Sequence, residues 1–150
     1  MLSRLLGRWT AHFVTFTLGV LALLALVETL LWWAFNISFP ELAEIEGILL
    51  VWLGLLAGAL GVHLGLHLGV DLVVRRLPEH AQKALSRVAA GFEVIFGALL
   101  GWYGIALWQV STNTLPATGW SARAQYSPAV VAGVLIVVFA LGGGEPDRNE

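Results

Sequence analysis

Residues 45–68 read IEGILLVWLGLLAGALGVHLGLHL and contain a single charged residue, Glu46. A helix needs about 20 mainly apolar residues to cross the roughly 30 Å hydrocarbon layer of a membrane, so this run predicts a transmembrane helix. Residues 69–78, GVDLVVRRLP, follow directly and bring an aspartate and two arginines together. Such side chains are typical of a helix that is leaving the lipid, because from there they reach water.

The rest of the chain repeats this pattern. Three further apolar runs are long enough, or nearly so, to cross a membrane: residues 12–36, 86–110 and 122–142. The 150 residues are 58% hydrophobic and 12% charged, with a mean hydropathy of +0.82, which is too little charge for a soluble domain. We therefore predict an all-α integral membrane protein with four transmembrane helices. They form one domain, residues 1–142, and residues 143–150 are predicted to be a disordered cytoplasmic tail.

Composition also excludes several classes of function. The net charge is −2 and the basic residues are scattered, which argues against a nucleic-acid partner. The chain has no cysteine, which excludes disulfides, thiolate metal sites and disulfide exchange.

The distribution of Lys and Arg predicts the orientation. Of the eight Lys and Arg residues, only Arg123 falls in a loop on the side opposite the termini. Cationic loops stay on the cytoplasmic side, so both termini are predicted to be cytoplasmic in a bacterial inner membrane. Residues 37–46 and 111–123 then face the periplasm.

The second and third helices are predicted to be long and tilted. If residues 41–76 form one helix, its length is about 54 Å, well beyond the hydrocarbon thickness. Pro78 suits the first turn of the third helix, which would enter the lipid near Val88.

Glycines recur at helical spacing on these two helices. Small residues in register let helix backbones approach closely inside a membrane, so both stripes are candidate surfaces for packing against a partner. The residues are Gly54, Gly58, Gly61, Gly65 and Gly69 in the second helix and Gly97, Gly101 and Gly104 in the third.

Polar residues spaced four apart lie roughly opposite the longer stripe. They are His63, His67, Asp71 and Arg75, with Arg76 beside them. One interpretation is a helix end at the membrane surface, where an Asp to Arg pair is inexpensive. The other is that this face docks on a second protein.

Individual residues suggest two other functions. His63 and His67 have the spacing of two metal or haem ligands on one helix, but the remaining histidines, His12 and His80, are poorly placed to complete a site. No catalytic, cofactor or metal residue is therefore predicted. Glu28 lies within the first span, as in the small multidrug resistance family, which suggests a proton-coupled exporter as the alternative function. The strong Lys and Arg asymmetry argues against it.

Residues 44–78, EIEGILLVWLGLLAGALGVHLGLHLGVDLVVRRLP, resemble the small membrane subunit of tripartite ATP-independent periplasmic (TRAP) transporters, the DctQ-like family. The matching positions are Glu44, Trp52, Gly65, His67, Val70, Asp71, Leu77 and Pro78. Ala43, Ala57 and His63 depart from the pattern, where an acidic residue, a glycine and an arginine are usual.

The resemblance implies a scaffold rather than an enzyme. In such systems a periplasmic substrate-binding protein delivers an organic acid, and a large elevator-type permease subunit moves it with sodium. The small subunit braces the permease in a heterodimer and helps to dock the binding protein. It has no cofactor of its own, and sodium coupling belongs to the large subunit.

Overall fold

A computed structural model describes residues 2–65 and 79–142, and over these ranges the chain folds into four α-helices. They are α1 (Leu2–Phe35), α2 (Pro40–His63), α3 (Glu79–Val110) and α4 (Arg123–Leu141). Each is long and apolar enough to cross a membrane. The predicted all-α fold with four transmembrane helices is confirmed. Residues 143–150, the predicted tail, lie outside the described residues.

Local sequence explains the turn between α1 and α2. The amide of Asn36 donates to the carbonyl of Trp32, 2.9 Å away, and Asn36 has φ 53. Asparagine tolerates this left-handed conformation better than most residues and so ends helices. Pro40 then occupies the first turn of α2, where its missing N–H costs nothing.

The predicted continuous helix over residues 41–76 is wrong, because α2 ends at His63. The amide of Gly65 donates to the carbonyl of Val62, and Gly65 has φ 62, a left-handed conformation that stops a helix. The 24 residues of α2 span about 36 Å. By contrast α3 has 32 residues and is about 48 Å long, so its predicted excess length is confirmed.

Helix α4 is the centre of the bundle. It packs against both α2 and α3, whereas α1 packs mainly on α2. Ala59 of α2 and Ile136 and Phe139 of α4 form the buried core, and Leu100 of α3 packs against it. Helices α2 and α3 hardly touch each other, and this leaves an opening between them.

The bundle has two distinct ends. At one end, here called the terminal end, a Cβ atom on Gly142 would lie 3.2 Å from the Cβ of Ser3, so the last helix finishes beside the start of the first. At the other, here called the loop end, residues 36–39 join α1 to α2 and residues 111–122 join α3 to α4. The two outer connections of the sequence prediction therefore share one end of the molecule.

Residues 111–122, here called the hairpin, have a structure of their own. Thr114 and Ser121 form an antiparallel bridge, and the amide of Leu115 donates to the carbonyl of Trp120 at 2.7 Å. Gly119 has φ 69, which makes the tight turn between them possible. Leu115 is buried beneath the turn, so the hairpin packs onto the bundle.

Candidate partner-binding site

The opening between α2 and α3 forms an apolar groove of about 690 Å³. Gly54 and Gly58 line one wall, Phe92 and Phe96 the other, and Ile136 of α4 lies at its floor. Both phenylalanines are largely exposed, at 73% and 54%. Helices α2 and α3 both pack on α4 without packing on each other, and the groove between them can receive a further apolar element.

The glycines of α2 are open toward this groove and its surroundings. A Cβ atom on Gly54, Gly58 or Gly61 would find no atom of the described chain within 4 Å. The same holds for Gly65, but this residue lies beyond the end of α2. Gly69 lies outside the described residues. Among the described residues, the part of the predicted stripe that lies on a helix is therefore Gly54, Gly58 and Gly61.

The glycines of α3 contact a helix of the same chain. A Cβ on Gly97 would lie 2.9 Å from Cγ2 of Ile136, and one on Gly104 would lie 3.0 Å from the amide nitrogen of Val130. Gly101 faces Gly133 of α4. Close helix packing therefore does occur at this stripe, but with α4 rather than with another protein, which leaves the α2 glycines as the candidate partner surface.

His63 is half-buried and packs against other helices of the chain. Its ring is 4.6 Å from the ring of Phe139, and a Cβ on Gly7 would overlap its imidazole. His63 therefore helps to join α1, α2 and α4 at the terminal end. The other members of the predicted polar face and motif, His67, Asp71, Arg75, Arg76 and Pro78, lie outside the described residues. Across residues 2–65 and 79–142, no group of three side chains suited to a metal ion is found.

Two residues of the motif have clear structural contacts. The ring centroid of Trp52 lies 6.0 Å from that of Phe13, which ties α2 to α1. Glu44, in the second turn of α2, reaches the hairpin. Its Oε1 accepts a hydrogen bond from the amide of Ala117 at 2.9 Å. Its Oε2 accepts from the amide of Thr118 at 2.9 Å and from the Thr118 hydroxyl at 2.8 Å.

The sequence profile described as "Tripartite ATP-independent periplasmic transporters, DctQ component" matches residues 21–143. The chain belongs to the DctQ family. No curated protein matches the chain at a significant level. The resemblance predicted from residues 44–78 is thereby confirmed, and it extends over the last part of α1 and the whole of α2, α3 and α4.

Membership assigns this DctQ chain to a transport system. It is the small membrane component of a tripartite transporter and a multi-pass protein of the inner membrane, with four helices that can span it. The family is a transporter component rather than an enzyme family. The groove, Glu44 and the hairpin all lie within the matched residues.

A second anchor holds the hairpin of the DctQ fold. The Nε–H of Arg123 donates to the carbonyl of Ser111 at 3.1 Å, and its guanidinium carbon lies 4.7 Å from the centre of the Trp108 ring. A guanidinium over an indole is a favourable cation–π arrangement. Arg123 therefore links the end of α3 to the start of α4.

Glu28, the candidate for an exporter, makes a contact between helices. Its carboxyl group lies close to that of Glu46 in α2, and Oε1 of Glu46 is buried without a partner among the described residues. An ionised carboxylate only accepts hydrogen bonds, so a residue with an N–H donor at position 28 could supply the partner that Oε1 of Glu46 lacks. Glu28 therefore faces another helix of the same chain.

Helix α1 has a buried face of small residues that was not predicted from the sequence. Gly7, Thr10 and Thr17 are all buried, and the Thr10 hydroxyl donates to the carbonyl of Leu6 at 2.8 Å. Spacings of three and seven were the available signal, because they place these residues on one face of a helix. Basic residues lie among these positions in the sequence, so the small residues do not stand out as a separate stripe.

Proposed function

We propose that this DctQ chain braces the large permease subunit of its transporter by receiving one of that subunit's helices in the groove between α2 and α3. The observation that supports this most directly is the contrast between the two glycine stripes. Helix α4 packs closely against the glycines of α3. By contrast, Gly54, Gly58 and Gly61 of α2 are not covered by the described chain. A stripe of this kind gives a neighbouring helix close van der Waals contact.

The shape of the groove fits a helix with bulky apolar side chains. Gly54 and Gly58 leave room on one wall, and Phe92 and Phe96 offer large aromatic surfaces on the other. Inside a membrane, lipid tails are as apolar as the helix side chains, so no hydrophobic driving force joins two helices. Their association depends on close packing of this kind. An apolar helix of the permease subunit would therefore complete a bundle that α2, α3 and α4 begin.

Transport itself would belong to the partners. In this proposal the permease carries an organic acid with sodium, and a soluble binding protein delivers the acid at the loop end, which faces the periplasm. The Lys and Arg distribution supports this orientation, since residues 36–46 and 111–123 together contain a single basic residue, Arg123. The small subunit then positions the other two components.

Co-purification tests the bracing role. The variant Gly58→Leu places a large side chain in the groove. The described chain has space for this side chain, but a helix docked in the groove would collide with it. Recovery of the permease subunit should fall about tenfold, because overpacking a close contact costs about 1–3 kcal/mol. Gly91→Leu is the matched control, since Gly91 lies on α3, has no neighbour within 4 Å among the described atoms and does not line the groove.

The outcomes separate the candidate functions. Equal recovery of the permease with Gly58→Leu and with the wild type would contradict the proposal. The exporter alternative instead predicts that the chain alone transports a solute in liposomes and that Glu28→Gln stops this transport. A bracing subunit shows no transport in that assay with either sequence.

A further inference from the structure

The hairpin between α3 and α4 is held at both ends and within itself. Glu44 of α2 accepts three hydrogen bonds from Ala117 and Thr118 near its tip. Arg123 bonds to Ser111 at its base. Between these anchors, the amide of Ala122 donates to the carbonyl of Asn113 at 2.9 Å, next to the bridge already described. The backbone of this connection is therefore fixed by side chains from two helices, α2 and α4, and by its own hydrogen bonds.

Such a connection is longer and more ordered than its position requires. Helices in a bundle are joined by about 2–8 residues, and longer ordered connections usually have a function. Leu115 points inward and is buried, whereas Asn113, Thr114 and Pro116 are exposed. Trp120 is 53% exposed beside them. A large aromatic side chain surrounded by polar groups and small side chains is a common anchor in protein interfaces.

We infer that the hairpin is a pre-shaped contact surface for the soluble binding protein and that Glu44 is the positioning residue that fixes its shape. This rests on the proposed function, since it assigns that function's soluble partner to one surface. A polar, ordered surface at the loop end suits a protein that approaches from water. Ordering the hairpin before contact lowers the entropy lost on binding.

Glu44 can fill this role because it joins parts of the chain that α-helical packing alone would leave separate. It lies near the start of α2, while its donors lie 73 and 74 residues later. Without its carboxylate, the amides of Ala117 and Thr118 lose their acceptor, and the tip of the hairpin is free to take other conformations. The helices, including the groove, keep their own contacts.

The experiment measures uptake by the complete transporter in proteoliposomes as the soluble binding protein is titrated. With Glu44→Ala, the concentration of binding protein that gives half-maximal uptake should rise about fivefold or more, the effect of losing a typical interface contact. The maximal rate and the recovery of the permease subunit should stay near the wild-type values. Glu41→Ala is the matched control, because Glu41 is exposed in the first turn of the same helix.

Two further variants keep the inference testable if Glu44→Ala folds poorly. Thr118→Val removes the hydroxyl bond to Glu44 and the hydroxyl oxygen that accepts from the amide of Trp120 at 3.3 Å, but it keeps both backbone bonds to Glu44. It should give a smaller shift in the same direction. Trp120→Ala leaves the anchors intact but removes the exposed ring, and it should also raise the half-saturating concentration. A common shift in these variants, with Glu41→Ala unchanged, would support the inference.

Other results overturn it. If none of the hairpin variants changes the half-saturating concentration, the hairpin is not the contact surface. If Glu44→Ala loses the permease subunit in parallel with uptake, Glu44 has a structural role in the bundle instead. Failure of the wild-type chain to co-purify with the permease would be different, since it would contradict the bracing function on which the inference depends.

Discussion

Gly133 of α4 lies against Gly101 of α3 so closely that a Cβ atom on Gly133 would come within 2.5 Å of the Gly101 amide nitrogen. No real side chain tolerates that distance, so glycine is required for the two backbones to meet. The same added atom would lie 2.7 Å from the carbonyl oxygen of Gly97. This contact sets how deeply α4 sits against α3, and hence the depth of the groove above it.

Replacing Gly133 by alanine should therefore destabilise the α3–α4 pair. The methyl group meets backbone atoms that cannot rotate away, and overpacking of this kind costs about 1–3 kcal/mol. For a chain of 150 residues this corresponds to a fall in melting temperature of about 2–12 °C. Thermal unfolding of the purified protein in detergent measures it. Gly91→Ala on the outer side of α3 is the control and should not lower the melting temperature.

The contact between Gly7 and His63 provides an independent test at the terminal end. A methyl group on Gly7 would overlap the imidazole, so Gly7→Ala should destabilise the junction of α1, α2 and α4. His63→Ala removes the obstacle but also the packing on Phe139. The double variant should be more stable than the sum of the single effects predicts, by about 0.5–3 kcal/mol, as for other residues in contact.

Gly19→Ala is the control for that cycle, because Gly19 lies on α1 with no described atom within 4 Å of an added Cβ. Combined with His63→Ala it should behave additively. Additive behaviour of Gly7→Ala with His63→Ala would show that the two residues do not contact each other in solution.

The number and type of the helices were predictable, because each apolar run is close to the length that a membrane requires. The end of α2 was not. Gly65 continues the glycine spacing of the helix, so the pattern gave no sign that this residue adopts φ 62 and stops it. Helical spacing identifies residues that share a face only where those residues belong to one continuous helix.

The partners of the candidate residues were harder still. The stripe on α3 predicted a close helix contact but could not identify α4 as the helix that makes it, since small residues favour any neighbour. Glu44 was recognised as part of a motif. Its bonds to Thr118 cross 74 residues and leave no periodic trace in the sequence, so only the structure reveals them.

The carboxyl pair of Glu28 and Glu46 leads to the last prediction. Glutamine at position 28 supplies N–H donors beside the Glu46 carboxyl group, whose Oε1 has no partner among the described residues, so Glu28→Gln should support the contact between α1 and α2. Glu28→Ala removes it and should lower the melting temperature by about 2–4 °C, the shift for roughly 1 kcal/mol in a chain of this size. Thr29→Val, at an exposed neighbour, is the control. Equal melting of the alanine and glutamine variants would contradict a supporting role for this pair.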